Sequence, residues 1–218
     1  MHFTLADLVT DITQNSAESG ADTVELEVRE TRSPGAEFRF ITKDNGKGMS
    51  GADIDRAVDP FVTDGIKHPG RRVGLGIPFL IQTALQSGGG WKISSNRDGV
   101  CALRSSDAGG GGNAAGGDAA GSGGVSGSGR KTGTSVEAWF DLANVDTPPV
   151  GDVSGLFRTV MLFSGPGEII LRRFRKGGSD PELDYEVKKS DLTGALGDLE
   201  DVSSLALLGK YLRSLEGE

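Results

Sequence analysis

Asp44-Asn-Gly-Lys-Gly-Met49 lies in this chain between Asp11-Ile-Thr-Gln-Asn15 and Val73-Gly-Leu-Gly-Ile77, and the order of these three segments indicates the fold. The first segment carries a carboxylate and a carboxamide, the second an acid beside two glycines, and the third a glycine pair before a predicted helix. Such groups can hold a purine, a divalent metal and a phosphate chain together. A nucleotide site is therefore the leading interpretation.

The first segment lies on a predicted amphipathic helix that begins at Leu5, with Thr4 as its N-cap. Asp11 and Asn15 lie one turn apart on the polar face of this helix. A carboxylate there can orient a water, and an amide oxygen can complete the coordination of Mg²⁺. The alternative is an ordinary solvated polar face.

The second segment follows a predicted β-hairpin over residues 23–43, whose apolar side chains alternate. Asp44 at the strand end can accept a hydrogen bond from the exocyclic amine of adenine. Gly46 and Gly48 let the backbone approach a base closely, and Met49 offers a soft apolar wall. The alternative is a polar turn before the next helix.

The third segment leads into a predicted helix over Ile77 to Ser87. The backbone of Gly74, Leu75 and Gly76 would present N–H groups and the positive helix end to phosphate oxygens. The usual dinucleotide fingerprint needs a third glycine, and its absence here weighs against a Rossmann fold.

Together these segments resemble the GHKL superfamily of ATP-binding domains, which includes gyrase, heat-shock chaperones, bacterial histidine kinases and the MutL mismatch-repair proteins. The boxes that carry the resemblance are the N-box, two glycine boxes and a last box, at residues 11–21, 44–49, 74–76 and 133–136. Residues 59–63 are similar to the stretch that opens the ATP lid in histidine kinases.

The resemblance implies an α+β fold: a two-layer sandwich of a mixed, mostly antiparallel sheet with helices on one face, the Bergerat fold. It implies ATP and Mg²⁺ as cofactors, with Asn15 on the metal, and Thr134 near adenine. We expect a lid over residues 59–76, whose basic side chains, among them Lys67 and Arg72, suit closure over a triphosphate.

Hydrolysis would depend on Asp11, the candidate general base. The hydrolysing families usually place Glu four residues before the metal-binding Asn, whereas this chain has the shorter Asp11. Because catalytic geometry is sensitive at the ~1 Å scale, ATP binding is expected but rapid hydrolysis does not follow.

Three functions stay open. The first is a nucleotide-driven regulatory switch, with slow or no hydrolysis, that acts on a protein partner. The second is a protein kinase of the histidine or anti-sigma serine type acting in trans, since neither His2 nor His68 lies on a predicted dimerisation helix. The third is an inactive scaffold. A narrower resemblance, to small stand-alone ATP-binding proteins encoded near iron hydrogenase genes, implies a hydrogenase or redox complex as partner.

Composition limits the other classes. The net charge of −8 weighs against generic nucleic-acid binding, and no apolar run approaches the roughly 20 residues that span a membrane. A single cysteine, Cys101, excludes an internal disulfide, and no signal peptide is visible, so we expect a cytoplasmic protein.

We expect an ATP-binding domain over residues 1–145 and a small C-terminal α/β appendage over residues 146–218. Residues 107–129 hold eleven glycines and are predicted to be a flexible insertion, because such a stretch cannot offset its ordering entropy. Within the appendage, a basic cluster is either a docking face or, as we favour, a solvated strand edge: Arg172, Arg173, Arg175 and Lys176.

Overall fold

The computed structural model describes residues 4–60, 76–108 and 132–217. In these ranges six helices and seven strands follow one another as α1 (Leu5–Ala17), β1 (Thr23–Thr31), β2 (Glu37–Asp44), α2 (Gly51–Val58), α3 (Gly76–Gln86), β3 (Gly90–Arg97), β4 (Val100–Asp107), β5 (Gly133–Asp141), α4 (Val153–Met161), β6 (Glu168–Lys176), β7 (Leu183–Lys188), α5 (Lys189–Leu196) and α6 (Val202–Glu216). Most of the predicted lid and of the predicted insertion, residues 61–75 and 109–129, lies outside the described residues.

The described strands form one mixed sheet in the order β4-β3-β5-β2-β1-β6-β7. β1 pairs in parallel with β6, and the other neighbouring strands in this part of the chain pair antiparallel. Along β1 the side chains alternate, with Val24, Leu26 and Val28 buried and the charged residues between them on the other face. The predicted mixed, mostly antiparallel sheet is confirmed.

Helices cover the buried face of this sheet. Phe38 and Phe40 of β2 and Ile93 of β3 belong to one apolar core, to which each of the six described helices contributes. The opposite face is polar: Arg39, for example, donates to Glu137 across the β2–β5 pair at 2.7 Å. This arrangement confirms the predicted two-layer α+β sandwich. None of the described helices is both long enough and apolar enough to cross a membrane.

The residues predicted as an appendage continue the same sheet and core. β6 lies beside β1, where Leu171 is opposite Leu26, and Phe157 of α4 and Leu208 of α6 are buried in the shared core. The proposed domain boundary at residue 145 stays a prediction.

Arg173, one member of the basic cluster, lies neither on a docking face nor on a solvated strand edge, because it is buried. Arg173 is only 1% exposed, and it donates to Glu30 Oε2 at 2.6 Å and to Glu216 Oε1 at 3.2 Å. The Tyr185 hydroxyl also donates to Glu216 Oε1, and burial together with this bond raises the pKa of Tyr185. The solvated-edge interpretation is wrong for Arg173 because β6 is an interior strand, between β1 and β7, and this side chain points to the helix-covered face.

Candidate nucleotide-binding site

Helix α1 carries the first predicted site residues. Thr4 caps it as expected, accepting the Asp7 N–H at 3.1 Å and donating to the Asp7 carboxylate at 2.8 Å. Ile12 is buried in the core, whereas Asp11 and Asn15 are exposed one turn apart on the helix. Burial of the apolar face of α1 against the core therefore leaves these two polar side chains on the exposed face of the helix.

Asp44 lies half-buried at the end of β2. Its Oδ1 accepts the Gly46 N–H at 3.0 Å and the Ser19 hydroxyl at 3.2 Å. Burial raises the pKa of Asp44, although its hydrogen bonds act in the opposite direction. Hydrogen bonds from the Ser16 side chain and the Thr134 backbone also act to lower the pKa of Asp44, but they do not offset the effect of burial.

The two glycines after Asp44 are required by close packing. A Cβ atom on Gly46 would lie 2.0 Å from Ser19 Oγ, and one on Gly48 would lie 2.1 Å from the carbonyl oxygen of Asn96. Gly48 also has a φ of +69°, which side-chain-bearing residues rarely adopt. The loop over residues 45–50 can therefore pack directly between the end of α1 and β3.

Helix α2 holds the far end of this loop. Ser50 and Asp53 form a capping box, with the Asp53 N–H donating to Ser50 Oγ at 3.2 Å and the Ser50 N–H donating to Asp53 at 3.1 Å. These bonds to Ser50 hold the pKa of Asp53 at about 2. Arg97 of β3 also donates to Asp53, at 2.9 Å, so the loop is anchored at both ends.

A buried serine joins the loop to the sheet. Ser95 Oγ on β3 accepts the Met49 N–H at 2.7 Å, donates to the Gly133 carbonyl at 2.9 Å and lies 2.9 Å from Thr134 Oγ1. The strand pairing places Thr134 directly opposite Asp44. The structure thus brings together Asp44 and Met49 of the first glycine box and Thr134 of the last box.

Our sequence interpretation missed Ser95 and two serines near the end of α1. Ser95 follows Trp91 and Ile93 at strand spacing, which marks it as a polar residue on the buried face. Ser16 is buried and accepts the Thr42 hydroxyl at 3.3 Å, while Ser19 bonds Asp44. A polar side chain at a core position of the periodic pattern was the available signal for Ser16 and Ser95.

The start of α3 lies beside Asn15. A Cβ atom on Gly76 would be 3.7 Å from Asn15 Nδ2 and 3.8 Å from Ile12 Cδ1. The structure therefore brings the predicted metal ligand next to the last glycine of the predicted phosphate loop. The remaining predicted site residues lie outside the described residues: Lys67, Arg72, Gly74 and Leu75.

The described part of the chain holds no group of three or more His, Cys, Asp or Glu side chains that could bind a metal. Mg²⁺ in nucleotide sites needs no such cage, because it keeps several waters and binds through one or two protein groups plus substrate phosphates. The exposed Asn15 beside Gly76 fits that role. Asp11 borders a groove between α1 and α4, and its general-base role stays a prediction.

Comparison with known proteins gave one family match. The model of the histidine kinase-, DNA gyrase B-, and HSP90-like ATPase family matches residues 3–144, which is more than half of the chain. A similar solved structure is the N-terminal domain of a DNA repair protein, at 11% identity and a TM-score of 0.45, over 84% of this chain and 52% of that one. The chain thus spans about half the length of that structure. No curated protein sequence matches this chain.

Proposed function

We propose that this chain, which belongs to the histidine kinase-, DNA gyrase B-, and HSP90-like ATPase family, is a nucleotide-driven regulatory switch. The sequence had already indicated the fold of this family and an ATP-binding site. In this proposal the site binds Mg-ATP, hydrolyses it slowly or not at all, and changes how the protein docks on a partner. The observation that carries it is the half-buried Asp44, which accepts hydrogen bonds from the Ser19 hydroxyl and the Gly46 N–H.

Asp44 is the proposed contact to the base. A buried carboxylate is costly unless enough donors reach it, and at Asp44 burial outweighs the hydrogen bonds, since its pKa is raised. An additional N–H donor from a ligand would offset part of that cost. The exocyclic amine of adenine is such a donor, whereas the 6-oxo group of guanine is an acceptor.

Asn15 and the start of α3 are the proposed contacts to the phosphates. The first N–H groups of α3, which begins at Gly76, have no partners within the helix and lie at its positive end. Asn15, next to Gly76, would hold Mg²⁺ through its amide oxygen. Bound Mg²⁺ would neutralise charge on the phosphate oxygens. Lys67, Arg72, Gly74 and Leu75 complete the proposed phosphate contacts by resemblance alone.

Slow turnover is proposed because of Asp11. If hydrolysis occurs, Asp11 would orient the attacking water, but its carboxylate is one methylene shorter than the usual Glu.

The second candidate function is a protein kinase that phosphorylates a separate protein, and the family membership supports it. The narrower proposal of a cytoplasmic hydrogenase or redox complex as the partner rests on the sequence resemblance, and the comparisons add no support to it.

ATP labelled on its γ-phosphate separates these functions. Purified protein is incubated with labelled Mg-ATP, with and without a cell extract that supplies partner proteins, and Asp44→Asn is the matched variant. Retained nucleotide without release of label supports the switch, released phosphate supports an ATPase, and a labelled partner supports a kinase. If the wild type retains no more label than Asp44→Asn and shows neither reaction, the proposed site is wrong.

A further inference from the structure

We propose that Ser95 is a positioning residue that makes the Thr134 hydroxyl an acceptor toward the bound base and so helps to select adenine over 6-oxo purines. The inference rests on the ATP site proposed above and deepens it. It starts from a row of polar side chains that crosses three neighbouring strands: Thr134 of β5 is opposite Asp44 of β2 on one side and opposite Ser95 of β3 on the other.

The hydrogen bonds of Ser95 determine the direction of the bond to Thr134. Ser95 Oγ has one proton to donate and two lone pairs, and it has three neighbours: the Met49 N–H at 2.7 Å, the Gly133 carbonyl at 2.9 Å and Thr134 Oγ1 at 2.9 Å. The amide can only donate and the carbonyl can only accept. The single proton of Ser95 therefore goes to Gly133, and Thr134 must donate to Ser95.

This direction leaves Thr134 Oγ1 with lone pairs and no proton for a ligand. Ser95 is only 4% exposed, so its hydrogen bonds are shielded from bulk water. The site then presents two acceptors side by side in the sheet, the Asp44 carboxylate and Thr134 Oγ1. Two acceptors favour an amine at position 6 of a purine, and they oppose a 6-oxo group, which is itself an acceptor.

Removing the Ser95 hydroxyl would free the Thr134 proton. In Ser95→Ala, Thr134 could donate to a 6-oxo group, so the preference for ATP over inosine triphosphate (ITP) should fall about fivefold, the value of one hydrogen bond. The Met49 N–H also loses its partner in this variant. If the role of Ser95 were purely structural, the substitution would lower the affinities for ATP and ITP alike, and their ratio would stay unchanged.

The test is calorimetric titration with Mg-ATP and Mg-ITP of the wild type, Ser95→Ala, Thr134→Val and the double variant. We expect the affinity ratio to fall in both single variants and to fall no further in the double variant, because Ser95 acts through the Thr134 hydroxyl. If Ser95→Ala fails to fold, Ser95→Cys, a much weaker hydrogen-bonding group of similar size, replaces it.

An unchanged ratio in the folded Ser95 variant overturns the inference while leaving the ATP site intact, provided that the wild type binds ATP. Additive effects of the two substitutions overturn it as well, because they would show that Ser95 acts independently of Thr134. If the wild type binds neither nucleotide, the proposed function fails first and the inference falls with it.

Discussion

Replacing Arg173 by methionine would remove the cation that lies between two buried carboxylates. The side chains of Glu30 and Glu216 are only 2% and 4% exposed, and both accept hydrogen bonds from Arg173. Removing one partner of a buried ion pair typically costs about 3–5 kcal/mol, because the remaining charge is desolvated and uncompensated. Arg32 and Arg175 still reach these carboxylates, so we expect the lower end, about 3 kcal/mol.

The neighbouring Arg172 is a matched control in the same strand. Its side chain is 35% exposed on the open face of the sheet, where it pairs with Glu25 at 3.0 Å and Glu186 at 2.7 Å. Exposed pairs of this kind contribute about 0–1 kcal/mol. Arg172→Met should therefore change the free energy of unfolding by less than about 1 kcal/mol.

Urea unfolding followed by far-UV circular dichroism measures both variants against the wild type. A triple variant, Arg173→Met with Glu30→Gln and Glu216→Gln, should recover much of the lost stability because the uncompensated charges are gone. If Arg173→Met and Arg172→Met have equal unfolding midpoints and slopes, the buried charge cluster contributes nothing specific and the reasoning is refuted.

Three further predictions concern the nucleotide site. Asn15→Ala should remove the Mg²⁺-dependent part of ATP affinity, measured by calorimetry with and without a chelator, with the exposed neighbour variant Gln14→Ala as control; a retained Mg²⁺ dependence excludes Asn15 as the ligand. Since burial raises the pKa of Asp44, ATP affinity should fall as the pH drops through this raised pKa, and the fall should be absent in Asp44→Asn. The effect of pH on folding stability runs the other way. Because the pKa of Asp44 is raised in the folded, unliganded protein, its contribution to stability is full below the unfolded pKa and is lost as the pH rises through the folded pKa. Asp11→Asn should keep ATP binding but lose phosphate release in a single turnover, and Asp11→Glu should raise it; equal release by Asp11→Asn and wild type would end the general-base role.

Local patterns predicted much of the architecture. The helical spacing from Leu5, the cap at Thr4 and the alternation in β1 and β2 all agree with the described structure. The first glycine box could be located because a predicted strand runs directly into it, and β2 does end at Asp44. Such features need no knowledge of distant contacts.

Long-range strand order was not available from these patterns. Alternation shows which side chains are buried, but it does not show which strands are neighbours. β6 lies parallel to β1 although they are far apart in sequence, and that pairing is what surrounds Arg173 with carboxylates. Likewise, Ser95 meets Thr134 only because β5 lies between β3 and β2 in the sheet.

The most direct test of the nucleotide site is one calorimetric experiment that titrates Mg-ATP and Mg-GTP into the wild type and into Asp44→Asn. An adenine-reading Asp44 predicts saturable ATP binding by the wild type, clearly weaker GTP binding, and a loss of about 1–3 kcal/mol of ATP binding energy in Asp44→Asn. Asp53→Asn, which changes a carboxylate of the α2 cap instead, should keep the preference for ATP. Equal affinities of the wild type for ATP and GTP, or ATP affinity unaffected by Asp44→Asn, would contradict it.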